Sequence, residues 1–202
     1  MTQSLLFLGD SYTIGEGVSP KESWPWQLIE RLKQGALPAW GCQWGPPRTI
    51  AQTGWTAGEL LQNLPKSGLG EGFWGACVSA GVNDQYRQLA IEECVEHLEQ
   101  LLQVAAAACG YRKQHLWMVG IPDWSQSPFA ADRDRQQIAS QIASFNRAIS
   151  GLADRWEIPW IDLNAASQPH CHPKEAFYTS DKLHPSSLQY RLWVDAILEK
   201  LA

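Results

Sequence analysis

Apolar runs alternate with helix-period segments from one end of the chain to the other, and that alternation constrains the fold more than any other feature. Residues 4–8, 73–80, 114–119 and 158–161 are short and mostly apolar, and 48–52 reads as a further short strand. Strands that lack a polar/apolar alternation belong in a sheet covered on both faces, and such sheets are parallel. Helical spacing fills the gaps. Residues 89–109 carry Val95, Leu98, Leu102 and Ala105 on one stripe. Residues 132–153 repeat Ile138, Ile142, Phe145, Ile149 and Leu152, and 186–201 repeat Tyr190, Val194, Ile197 and Leu201. A shorter helix follows Ser23 as N-cap, with Pro25 in its first turn and a stop at Gly35. Another covers 56–64 and ends at Pro65. Five strands separated by helices imply an α/β fold with helices on both faces of the sheet. Residues 9–17, 36–47, 121–131 and 164–185 read as loops.

At 202 residues the chain has the length of one domain, and it is expected to form a single domain over 1–202. Hydrophobic residues make up 45% and charged residues 18%, which is a globular balance rather than that of a disordered chain. Sixteen basic residues against twenty-one acidic ones leave a net charge of −5. This argues against nucleic acid held on a broad basic surface and against a polybasic membrane anchor. Cys42, Cys77, Cys94, Cys109 and Cys171 are odd in number and form no C-x-x-C pair. Neither a disulfide framework nor a four-cysteine zinc site is suggested, and reduced thiols are expected. Met1-Thr2-Gln3-Ser4 has no basic start, and the apolar run that follows is far too short for a signal peptide or an integral membrane segment. The expected location is cytoplasmic.

Ligands of parallel α/β sheets bind beyond the carboxyl ends of the strands. Chemistry-bearing residues stand there. Gly9-Asp10-Ser11 follows the first strand, Gln52-Thr53-Gly54-Trp55 the second and Gly81-Val82-Asn83-Asp84 the third. Asp181-Lys182-Leu183-His184-Pro185 precedes the last helix. A serine hydroxyl is a weak nucleophile until a neighbouring base takes its proton. His184 is placed to be that base, with Asp181 three residues earlier able to hold one imidazole nitrogen and leave the other facing Ser11. His97, His115, His170 and His172 lie in less suggestive surroundings. The backbone N–H groups of Ser11 and Gly54 and the side-chain amide of Asn83 can converge as donors to a developing oxyanion.

Together the four blocks resemble those of the SGNH hydrolases, the GDSL esterase/lipase family. That family is named for Ser, Gly, Asn and His in four blocks, matched here in order by Ser11, Gly54, Asn83 and His184. Tyr12 stands where the family name has Leu. The resemblance implies a flavodoxin-like, three-layer α/β/α sandwich around a five-stranded parallel sheet. It also implies a serine esterase with Ser11 as nucleophile, His184 as base and acid, Asp181 as orienter, and Ser11, Gly54 and Asn83 as the oxyanion hole. The implied partner is a small-molecule ester, with short-to-medium acyl or O-acetyl groups preferred, and no cofactor or metal is called for. Lysophospholipase, thioesterase or acyltransferase chemistry would use the same site.

Taken singly, each block has a plainer reading. Gly9-Asp10-Ser11 can be only a turn, Asn83-Asp84 only a helix cap, and His184-Pro185 only a loop histidine. The 9–17 segment lacks the G-K-[ST] ending of a phosphate-binding loop. A non-catalytic, flavodoxin-like flavin or nucleotide module would leave Asp181 and His184 without a role. His170, Cys171 and His172 are too crowded for one tetrahedral metal site without a distant ligand, and a solvated loop is the better reading. Trp55 and Trp124 are candidates for an aromatic wall at the site mouth, and Trp24, Trp26, Trp40 and Trp44 for a second patch. Gln85, Tyr86 and Arg87 are candidates for contact with the leaving group.

Overall fold

The computed structural model describes residues 2–164, 166 and 174–202. Its strands are β1 (Thr2–Gln3), β2 (Leu5–Gly9), β3 (Gln43–Trp44), β4 (Arg48–Ala51), β5 (Gly75–Ser79), β6 (Leu116–Val119) and β7 (Trp160–Ile161). Its α-helices are α1 (Ser11–Ile14), α2 (Trp24–Lys33), α3 (Ala57–Asn63), α4 (Val82–Tyr86), α5 (Ile91–Ala108), α6 (Arg135–Trp156) and α7 (Ser187–Leu201). The main sheet is five-stranded and parallel, in the order β4-β2-β5-β6-β7. Phe7 pairs with Cys77 and Cys77 with Trp117, so the central register runs through the core.

Burial follows from position in that order. Leu5, Leu6, Phe7 and Leu8 in β2, and all four residues of β6, are buried because helices cover both faces. The edge strand β4 is half-exposed, as its more polar composition requires. Helices α2 and α7 pack together in one layer, and α3, α5 and α6 in the other, giving the α/β/α sandwich. Trp24 and Trp117 each meet Phe7 in edge-on geometry, at 5.1 and 6.3 Å between ring centroids.

Several boundaries differ from the sequence expectation for local reasons. The 9–17 segment holds a short helix, α1, because the Asp10 carboxylate caps it by accepting the Tyr12 N–H at 3.0 Å. Helix α6 begins three residues later than 132, where Asp134 accepts the Gln137 N–H, and it ends at Glu157 in the left-handed conformation. Ser23 stands at the α2 N-cap, but its hydroxyl donates to the Pro20 carbonyl instead of capping. The 36–47 loop contains β3, which pairs with β1 in a separate two-stranded sheet.

From β2 the chain passes to β4 on one side and then to β5 on the other. The loops leaving these three strands therefore share one crevice at the carboxyl edge, the place where open α/β sheets bind ligands.

Candidate active site

Ser11 opens α1 directly after β2, and it is buried. Its Oγ lies 2.9 Å from His184 Nε2. The other imidazole nitrogen, Nδ1, lies 2.6 Å from Asp181 Oδ2. Asp181 is fixed by three further donors to its Oδ1: the Thr179 hydroxyl at 2.8 Å and the backbone N–H groups of Leu183 and His184 at 2.8 and 3.0 Å. Burial raises the Asp181 pKa, but the hydrogen bonds from His184, from the two backbone N–H groups and from Thr179 outweigh it and hold the value at about 2. An ionised carboxylate only accepts, so it assigns the proton to Nδ1 and leaves Nε2 as acceptor toward Ser11. The turn that delivers both groups is closed by Thr179 N–H on the His184 carbonyl and by the Tyr178–Pro185 bridge.

Gly54 follows β4 with φ +82°, a conformation natural to glycine. Asn83 sits in α4, and its Nδ2 donates to the Trp55 carbonyl at 2.9 Å. One N–H of that amide is thus engaged, and Asn83 also lines the cavity with Ser11, Gly54 and His184. Asp84 Oδ2 accepts the Ala57 N–H at 2.9 Å, tying α4 to the start of α3. Asp10, the residue before Ser11, is buried. Desolvation raises its pKa to about 7 against the lowering effect of the Tyr12 N–H, and the Asp84 carboxylate raises it further. Desolvation also raises Asp84.

The four block residues surround a cavity of about 230 Å³, with Tyr12, Tyr86, Trp124, Phe129 and Leu183 forming much of its apolar lining. The Trp124 indole N–H donates to Gln85 Oε1 at 2.8 Å, and Gln85 Nε2 donates to Gln141 on α6 at 2.9 Å. The Arg133 guanidinium lies 4.6 Å from the Phe129 ring and 5.6 Å from those of Tyr86 and Trp124.

The structure brings Ser11, Gly54, Asn83, Asp181 and His184 to one place. Trp124 lines the cavity as expected, and Tyr86 with it. Trp55 does not line it: its ring packs against the core and only its carbonyl serves this region. Gln85 is buried behind the wall. Trp24 is core, whereas Trp40 and Trp44 pack with Trp74. His115 stacks on Trp74, and the His97 ring abuts Gly58. Phe129 and Leu183 were missed. The signal for Phe129 was its place in the loop after a strand, and for Leu183 its place inside the D-x-x-H turn.

His170, Cys171 and His172 lie outside the described residues. Among the described residues, no group of three or more His, Cys, Asp or Glu side chains is arranged to hold a metal ion, and no helix is long and apolar enough to cross a membrane. Cys77, Cys94 and Cys109 are free and buried, and Cys42 is free and half-buried.

Comparison with known proteins agrees with this architecture. The lipase Lip_vut3 from a goat rumen metagenome superposes with a TM-score of 0.75 at 17% identity, covering 98% of this chain and 97% of that one. The lipase/acylhydrolase from Enterococcus faecalis superposes at 0.67 with 21% identity, over 98% and 94% of the two chains. The psychrotrophic esterase EstA from Pseudoalteromonas sp., also solved with monoethylphosphonate as inhibitor, superposes at 0.67 with 16% identity, over 98% and 96%. No curated protein is significantly similar in sequence. The sequence profile of the GDSL-like lipase/acylhydrolase family matches residues 7–192, nearly the whole chain, and the protein belongs to that family.

Proposed function

We propose that the chain is a single-domain serine esterase that hydrolyses small carboxylic esters through an acyl-enzyme. The Ser11–His184–Asp181 relay, with contacts of 2.9 and 2.6 Å, carries this reading. His184 Nε2 takes the Ser11 proton as Oγ attacks the carbonyl carbon. Asp181 holds Nδ1–H and stabilises the imidazolium that forms. The oxyanion is received by the Ser11 and Gly54 N–H groups and by the free N–H of Asn83 Nδ2. His184 then protonates the departing alkoxide. Water attacks the acyl-enzyme by the same route, returning Ser11 and releasing the acid. Every step is a proton or acyl transfer that these side chains supply.

The apolar lining of the cavity supports an acyl group of short-to-medium length as its occupant. The test is a hydrolysis panel of aryl esters of graded chain length, run beside acetylated sugars and acyl-CoA, with the parent and Ser11→Ala. Turnover of the shorter aryl or acetyl esters by the parent, abolished in Ser11→Ala, is expected. Equal turnover by both proteins contradicts the assignment.

A further inference from the structure

We propose that Arg87 is a positioning residue for the oxyanion donor on Gly54, an inference that rests on the esterase reading above. A donor carried by glycine has a specific weakness. Glycine visits many backbone conformations, so its N–H is aimed only if the chain on either side is held. Gly54 is held on both sides. Ahead of it, the Thr53 hydroxyl donates to the Glu16 carboxylate, which belongs to the loop after α1. Behind it, its own carbonyl accepts from Arg87 Nη2 at 2.6 Å. The guanidinium is fixed in turn, because Nη1 donates to Glu59 Oε1 at 2.9 Å. Glu59 is itself anchored by accepting the Thr56 N–H on Oε2 at 2.9 Å.

The same helix grips the neighbouring peptides. Asn83 holds the carbonyl of Trp55, and Asp84 holds the amide of Ala57. Arg87, one turn beyond Asn83 at the α4 C-cap, holds the carbonyl of the glycine itself. Helix α4 therefore supplies the Asn83 donor and also fixes the Gly54 peptide beside it. The two oxyanion donors keep their spacing because both are referred to one rigid element. A planar fork suits this task, since one guanidinium reaches two acceptors in fixed geometry.

The alternative roles fit less well. Arg87 was a candidate for contact with the leaving group, but it does not line the cavity, and both of its hydrogen bonds go to the protein. Its ion pair with Glu59 is half-exposed, with 45% and 39% of the two side chains accessible, so it contributes little to stability.

The test compares the parent, Arg87→Gln, Arg87→Lys and Ser11→Ala on two esters that share an acyl group but differ in alcohol, one aryl and one alkyl. Arg87→Gln is expected to lower kcat about tenfold, short of the roughly 100–1000-fold cost of deleting a donor outright. KM should stay within about twofold, because the oxyanion exists only past the ground state. The factor should be the same for both esters, and the thermal midpoint should not move. Arg87→Lys should recover part of the loss, since an ammonium keeps the charge but not the fork. If the glutamine variant does not fold, the lysine variant carries the test, and parental kcat in it overturns the inference. Parental kcat in folded Arg87→Gln, a loss confined to KM, or a loss that changes with the alcohol each overturns it as well. Ser11→Ala separates the two levels. A silent Ser11→Ala beside a fully active Arg87→Gln removes this inference alone, whereas an active Ser11→Ala removes the esterase reading and this inference together.

Discussion

Ser11 Oγ and His184 Nε2 are 2.9 Å apart, although 173 residues separate them along the chain. One sits where β2 turns into α1, and the other sits in the turn before α7. The contact exists because β2 lies inside the sheet while the turn before α7 folds over its carboxyl edge. Disturbing either end should therefore be felt as lost chemistry before it is felt as lost fold.

Asp181→Asn tests the orienting half of this contact. Asparagine keeps an oxygen for the Thr179 hydroxyl and the Leu183 and His184 N–H groups, so the turn survives. It cannot stabilise an imidazolium, and its amide can favour the wrong tautomer. kcat is expected to fall by about 10³–10⁴-fold, measured on any ester that the parent turns over. A loss of less than about tenfold would show that Asp181 only shapes the turn.

In the proposed mechanism Asn83 is an oxyanion donor, and Asn83→Ala removes it. kcat should drop about 100–1000-fold with KM little changed. A rise in KM at constant kcat would make Asn83 a substrate-binding group instead.

Asp10 gives a pH dependence of stability. Its folded pKa, about 7, lies above the ordinary carboxylate range because burial penalises the charge. Between those values the folded chain binds a proton that the unfolded chain has released. The stability linked to this group is therefore complete below about pH 4 and lost as pH rises through about 7. Asp10→Asn retains an acceptor for the Tyr12 N–H but has no charge to bury. Thermal melts should place the variant above the parent at pH 8 and bring the two together toward pH 4.5. An offset that does not vary with pH would contradict this.

Trp124→Leu opens the apolar wall. The indole is nearly buried, and its loss leaves Gln85 Oε1 without its donor, at a cost of about 1–3 kcal/mol. The ratio of kcat/KM for longer over shorter acyl esters should rise. An unchanged ratio would mean that the acyl group lies elsewhere.

The inner strands were legible because a buried parallel strand leaves an unbroken apolar run, as at Leu5–Gly9 and Leu116–Val119. The five candidate residues that the structure gathers could be picked out because each stands in a short block just after a strand or just before a helix. What escaped depends on contacts between distant segments. β1 and β3 have two residues each, too few to show any period. The guanidinium of Arg87 could be assigned to Gly54 only once β4 and α4 were seen side by side. Trp55 and Trp124 look alike as tryptophans after a strand, yet only Trp124, buried in the core cluster, also lines the cavity, while Trp55 packs half-buried against the core.

The central claim is that Ser11 is the nucleophile, and a fluorophosphonate probe read by intact-protein mass tests it directly. The parent should gain one phosphonyl group, mapped by peptide mass to Ser11, while folded Ser11→Ala gains none. Equal labelling of the alanine variant, or an adduct mapped to another residue, would contradict the account.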